Sequence, residues 1–244
     1  MSGHSKWSKV KHQKEAIDAV KGKIFTRLAN AIIIAVKESG GITDKEKNFK
    51  LRLAIERAKS SNMPKENIQR AIDRAVKGDS SQLLVTGVYE AYGPGGVGIL
   101  IKVATDNKAR TVAELKNQLE KSGGVLATSG AVSHLFKHVG LIEVEKGSHD
   151  YLEVLEAATD GGAIDLEEKN GSFNIYTEVN DLNKVREYLL QKGFTVITFD
   201  LYFRPNVYIE VPRESDRKKI GNILNGLEER EDVERVFANS QLHV

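Results

Sequence analysis

Residues 141–203, LIEVEKGSHDYLEVLEAATDGGAIDLEEKNGSFNIYTEVNDLNKVREYLLQKGFTVITFDLYF, decide the fold of this chain. Leu141 to Glu145 alternates like a strand, and Asp150 opens a helical period that runs to Ala158. Ala163 to Glu168 and Ser172 to Val179 read as two strands paired across Lys169-Asn170-Gly171. Asp181 stands where a cap belongs for a helix reaching Gln191, and Phe194 to Phe203 is a last strand. The order β-α-β-β-α-β is that of a ferredoxin-like module.

Working outward, the flanks do not form complete units by themselves. Upstream, Val85 to Tyr92 and Val97 to Ala104 read as strands joined by Gly93-Pro94-Gly95-Gly96. Gly93, Gly95 and Gly98 fit a dinucleotide-binding spacing, but a strand follows where that motif needs a helix, so the reading is a hairpin turn. A helix from Arg110 to Lys121 turns Val112, Leu115 and Leu119 inward, and Ala131 to Phe136 reads as a further strand. Downstream, Val207 to Val211 is expected as a strand, Glu214 to Glu228 as a helix and Val233 to Phe237 as a strand. That tail is too short to stand alone and supplies the elements the upstream segment lacks. The expectation is a discontinuous α+β domain, 81–138 with 204–244, into which a ferredoxin-like domain, 139–203, is inserted.

Residues 1–80 have a different period. Ile17, Val20, Ile24, Leu28, Ile32 and Ala35 repeat at three and four, the stripe of an amphipathic helix. Gly22 lies inside it and predicts a kink or break near Val20–Lys23. A second helix is expected from Asn48 to Ser60, and a third opens at Pro64, where proline suits a first helical turn. Ile68, Ala71, Ile72 and Ala75 form its apolar side, while Arg70, Arg74 and Lys77 line up as a positive edge. The overall fold class is therefore α+β with three domains, the first a basic three-helix unit.

Charge separates these parts. Residues 1–80 hold 18 Lys+Arg against 9 Asp+Glu, a net of +9, and the remainder holds 18 against 25, a net of −7. A basic module on an acidic body points to a polyanion partner. The absence of cysteine excludes disulfides, cysteine-ligated zinc and thiol nucleophiles, and suits a reducing compartment. No apolar run approaches the length of a membrane span and no secretory h-region follows the N-terminal lysines, so the expected location is the cytoplasm.

Catalytic readings find little support. His134 and His138 fall on one face of an expected strand without a metal-binding motif around them. The acidic runs Asp165-Leu166-Glu167-Glu168 and Glu228-Glu229-Arg230-Glu231-Asp232 suggest a magnesium-dependent hydrolase only as a minor alternative, since such runs are usually solvated faces. Neither a metal nor a cofactor is expected, and the protein reads as a non-enzyme. The nucleic-acid reading rests on Lys6, Lys9, Lys11, Lys14, Lys21, Lys23 and Arg27 as phosphate contacts, with Trp7 and His12 placed to stack on bases. Arg70, Arg74, Lys77 and Arg110 form a second group. The competing structural reading is a solvated lysine-rich terminus whose tryptophan closes a small core.

Met1-Ser2-Gly3-His4-Ser5-Lys6-Trp7 resembles the opening of the YebC/PmpR family, whose members start M-A-G-H-S-K-W. The similarity continues through Lys21-Gly22-Lys23-Ile24-Phe25, Leu51-Arg52-Leu53-Ala54-Ile55 and Asn62-Met63-Pro64-Lys65-Glu66-Asn67-Ile68. Tyr89-Glu90-Ala91-Tyr92-Gly93-Pro94-Gly95-Gly96-Val97 looks like the family's Y-E-G-Y-G-P-G-G-V, with Ala91 in place of a glycine. Thr105-Asp106-Asn107, Arg110-Thr111-Val112 and Gly123-Gly124 follow in place, with Lys108-Ala109 standing for the usual Arg-Asn. The link Gly78-Asp79-Ser80-Ser81 is shorter than the family's glycine-rich joint.

The resemblance implies three domains with the third inserted into the second. It also implies a cytoplasmic, non-enzymatic, DNA-binding transcriptional regulator. Mitochondrial relatives act as translational activators, and bacterial members are linked to ribosomes stalled on proline-rich sequences. The motif begins at residue 1, so a bacterial member is expected. The expected partners are DNA, or ribosomal RNA and tRNA on the ribosome, and the acidic charge of the later domains adds a protein partner as a further expectation.

Overall fold

The computed structural model describes residues 4–77 and 84–240, with the backbone alone for residues 4–20. The helical part comprises α1 (His4–Glu38), α2 (Phe49–Ser60) and α3 (Lys65–Lys77). The chain continues through β1 (Val85–Tyr92), β2 (Gly98–Thr105), α4 (Lys108–Lys121), β3 (Val125–Ala127) and β4 (Phe136–Glu145). Then come α5 (Tyr151–Gly161), β5 (Asp165–Lys169), β6 (Ser172–Thr177), α6 (Leu182–Gln191), β7 (Val196–Pro205), α7 (Glu214–Glu228) and β8 (Val233–Ala238). The fold is α+β, a three-helix domain beside two sheet domains. The Gly78–Ser81 link lies outside the described residues.

In the helical domain α1 runs unbroken for 35 residues, so the kink expected at Gly22 does not occur. One glycine costs about 1 kcal/mol, and the half of the helix that follows is anchored by Leu28, Ile32, Ile33 and Val36 in a core shared with Leu51, Ala58 and Ala71. The polar residue that joins the helices is Asn48, which is buried. Its Oδ1 caps α2 by accepting from Leu51 N–H at 3.0 Å. Its Nδ2 donates to Ala35 O and Ile42 O, each at 2.9 Å, and so satisfies the carbonyl end of α1. Pro64 O accepts from the Asn67 and Ile68 N–H groups and starts α3.

The middle domain is a four-stranded antiparallel sheet in the order β3-β1-β2-β8, and α4 and α7 pack through Leu115, Leu119, Ile220 and Ile223 on one face. The tail after Pro205 thus adds β8 to the edge of β2. At the β1–β2 turn Gly95 and Gly96 have φ of 73° and 79°, left-handed values that glycine adopts without steric cost. Two expected strands are absent. Residues 131–135 form no strand, and β4 begins only at Phe136. The cause is Glu90, whose carboxylate accepts from the N–H groups of Gly130 (2.8 Å), Val132 (2.5 Å) and Ser133 (2.9 Å), donors a ladder would need. Residues 207–211 contribute a single bridge, Ile209 to Ser240, between Pro205 and Pro212, which lack the N–H a strand uses.

The inserted domain has sheet order β5-β6-β4-β7, with α5 and α6 on one face, the ferredoxin-like arrangement. Asp150 caps α5 by accepting from Glu153 N–H at 2.8 Å. Gly140 in β4 is required by crowding: a Cβ there would lie 2.3 Å from Thr177 Oγ1. Strands β4 and β7 are long, and their ends carry Phe136, Tyr202 and Phe203 against Leu100, Val132 and Phe237 on the far face of the first sheet. Phe203 meets Phe237 edge-on at 5.2 Å. An aromatic layer therefore joins the two sheet domains.

Candidate nucleic-acid interface

The cations singled out in the sequence are divided by α1 into two groups facing opposite ways. On one side, Phe25, Thr26, Ala29 and Ile33 of α1 face Asn67, Ala71 and the positive edge of α3 across an open groove of about 540 Å³. Arg70, Arg74 and Lys77 are all exposed along this groove. Arg70 Nη2 donates to Asn67 Oδ1 at 2.5 Å, so a neutral amide steadies the guanidinium. Asp73 stands in the same wall and accepts from Gln69 Nε2 at 2.8 Å. The floor is apolar: Ile33, Ala71 and Met63 are buried, and Met63 comes from the tight joint between α2 and α3.

On the other side of α1, Lys23 and Arg27 turn to the middle domain. Arg27 Nη2 donates to Arg230 O at 2.7 Å and to Glu228 O, so that the guanidinium caps the carbonyl end of α7. Burial pulls the Arg27 guanidinium below its ordinary value while Glu228 and Glu231 pull it back up. Lys23 Nζ lies 3.5 Å from Glu229 O. Arg110, also expected to contact phosphate, is held by Asp232 and Asp106, at 3.2 and 2.8 Å. The hydrogen bonds Arg110 donates to Asp232, and then the charge of Asp232, raise its guanidinium above the ordinary value. Lys21 is exposed. Lys6, Trp7, Lys9, Lys11, His12 and Lys14 have their backbone in the first half of α1, and their side chains lie outside the described residues.

The helical domain is tied to both sheet domains. Arg57 of α2 meets Asp200 of β7 at 3.0 Å, and Arg186 of α6 meets Glu56 at 3.2 Å. Asp200 Oδ2 also accepts from Arg235 of β8 at 2.9 Å. None of these long-range partners is signalled by local sequence spacing. The groove floor was missed for a related reason: Phe25 and Ala29 belong to α1's general apolar pattern, and only packing shows that they remain half open.

The groups considered for catalysis are separated or paired. His138 stacks on Phe203 at 4.6 Å, where burial, then the charge of Lys102, lowers its imidazole below the ordinary value. His134 lies in the turn before β4. Asp165 and Glu167 flank Arg204, and Asp232 accepts from Thr111 Oγ1 at 2.6 Å and from Arg110. Among the described residues no group of three His, Asp or Glu side chains is placed to share a metal ion. No helix among them is long and apolar enough to cross a membrane.

Fold and surface define a three-domain α+β protein whose helical domain carries a cation-rimmed groove. The chain belongs to the TACO1/YebC family: residues 5–78 match the family's N-terminal domain and residues 84–240 its second and third domains. A "Probable transcriptional regulatory protein" of Finegoldia magna is 41% identical over 239 residues, covering 98% of each chain. A protein of the same description from Caldanaerobacter subterraneus subsp. tengcongensis is 41% identical over 243 residues, covering 99% of each. The crystal structure of a conserved hypothetical protein from Aquifex aeolicus, 37% identical, superposes with a TM-score of 0.85 over 92% of both chains.

Proposed function

We propose that this protein is a non-enzymatic, nucleic-acid-binding regulator of gene expression whose helical domain makes the phosphate contacts. The observation that carries the reading is the charge partition, +9 on residues 1–80 against −7 on the rest, with Arg70, Arg74 and Lys77 exposed along one groove. Polyanion affinity arises from such clusters through counterion release. The names of the relatives, probable transcriptional regulatory proteins, support transcription as the process, and DNA is the target this reading assigns. Within the helical domain the first-rank contacts are Lys6, Lys9, Lys11, Lys14 and Lys21, with Trp7 and His12 stacking. Lys23 and Arg27 join them only where they leave α7. The acidic sheet domains recruit or position a protein partner, and the site of action is the cytoplasm.

Charge reversal at Lys9 and Lys11 is expected to weaken binding to every sequence and to flatten its salt dependence. Unchanged affinity sinks the N-terminal contact. A second reading, a ribosome-associated translation factor, is favoured by the apolar floor of the groove, which suits unstacked RNA better than a duplex. Crosslinking in growing cells, followed by sequencing of the bound nucleic acid, separates the two. Promoter DNA supports transcription, and ribosomal RNA or tRNA supports translation.

A further inference from the structure

We propose that the groove between α1 and α3 is a binding site for unpaired nucleotides, with bases against the Phe25–Met63 floor and the backbone along Arg70, Arg74 and Lys77. This deepens the nucleic-acid reading and rests on it. A purely electrostatic duplex contact requires cations and a polar surface, and nothing in it uses a hollow lined by Phe25, Ala29, Ile33 and Met63. A nucleobase has an apolar π-face that gains from such a floor whatever its sequence. Met63 adds a flexible thioether that adapts to differently shaped rings. At about 540 Å³ the groove has the size of a small-molecule site.

The rim is matched to one strand. Arg70, Arg74 and Lys77 occupy successive turns of α3 and extend about 10 Å along its axis, so they follow consecutive phosphates of a single backbone. Asp73, exposed beside them, lowers the net positive charge of this edge. Asn67 Oδ1 accepts from Arg70, so what the Asn67 side chain can offer a base edge is its Nδ2, a donor. Thr26 on the opposite wall supplies a hydroxyl, already turned to Gly22 O at 3.0 Å, that can also accept. Discrimination comes from the apolar floor, because the faces of bases in a duplex are stacked on one another and are not offered to it.

The test uses the full chain, a short fluorescently labelled RNA oligonucleotide, and the same RNA annealed to its complement, both titrated at each of several salt concentrations. Stacking of even one base predicts a preference for the single strand of about tenfold. Ala29→Leu fills the floor from α1 and is expected to bring the single-strand affinity down to that of the duplex. Thr26→Gln narrows the lip from an exposed position and is expected to act the same way, which keeps the test valid if the first variant misfolds. Arg70→Gln with Lys77→Gln is expected to weaken both ligands and reduce the salt slope. Equal affinity for the two RNAs, or single-strand binding indifferent to both groove variants, overturns the base site while leaving phosphate binding intact. Failure to bind either RNA, or the same sequence as single- or double-stranded DNA, overturns the nucleic-acid reading itself. If an acidic amphipathic peptide binds instead, in a manner sensitive to Ala29→Leu, the groove is a protein-docking site and the proposal is wrong.

Discussion

Arginines in the sheet domains and Arg70 on α3 have opposite surroundings. Arg204 lies between Asp165 and Glu167, with its guanidinium 3.9 Å from the Tyr176 ring centroid. Arg230 is held by Glu114, Arg235 by Asp200, and Arg110 by two aspartates. Arg70, by contrast, bonds a neutral amide, and Lys77 is exposed beside it. Cations of the first kind are bound within the fold; those of the second kind face outward at a groove. Counting lysines and arginines shows only where positive charge is abundant. Where it remains available to a partner is set by the carboxylates that tertiary structure brings alongside.

The contrast yields a ranked set of expectations. The largest effect belongs to an acid in the body: Glu90→Ala orphans one buried and two partly buried backbone donors and is expected to cost about 3 kcal/mol, read by chemical denaturation. Burial alone pushes the Glu90 carboxyl up, but the Gly130, Val132 and Ser133 donors outweigh it and hold it below its ordinary 4.5. Its contribution is therefore fully present above pH 4.5 and is lost as pH falls through the lower folded value, and the alanine variant should show a flatter acid limb. Next comes Arg204→Ala, which leaves Asp165 and Glu167 side by side. Because both carboxylates remain partly solvated, the loss is expected near 2 kcal/mol rather than the larger figure for a sealed pair. The smallest is Arg70→Gln with Lys77→Gln, expected within about 0.5 kcal/mol of the parent in stability. A large stability loss there would mean that the α3 edge is structural and would erase the distinction.

The parts of the fold that were legible in the sequence are those governed by local chemistry. The β-α-β-β-α-β order, the helix beginning near Asn48, the start after Pro64 and the glycine turn at residues 93–96 all follow from neighbours in the chain. The errors have long-range causes. Residues 131–135 carry strand-forming side chains, yet a carboxylate some forty positions away takes their N–H groups. The α1 kink was read from Gly22 alone, without the core that fixes the following turns. The candidate site follows the same rule. The α3 edge was visible as a spacing of four and three, whereas the docking of Arg27 on α7, about 200 residues later in the chain, was not.

Asp200 has a consequence of its own. Its Oδ1 accepts from Leu201 N–H at 2.8 Å, which fixes the carboxylate on β7, and its Oδ2 receives Arg57 and Arg235. One oxygen atom is thus a joint common to all three domains, so their relative orientations are not independent degrees of freedom. Asp200→Asn is expected to leave every hydrophobic core intact and the helical content unchanged while widening the distribution of molecular shapes seen by solution scattering. In mechanical terms Asp200 is a pin through all three bars of a linkage, and the aromatic layer and the Arg27 and Arg186 ties brace the bars two at a time.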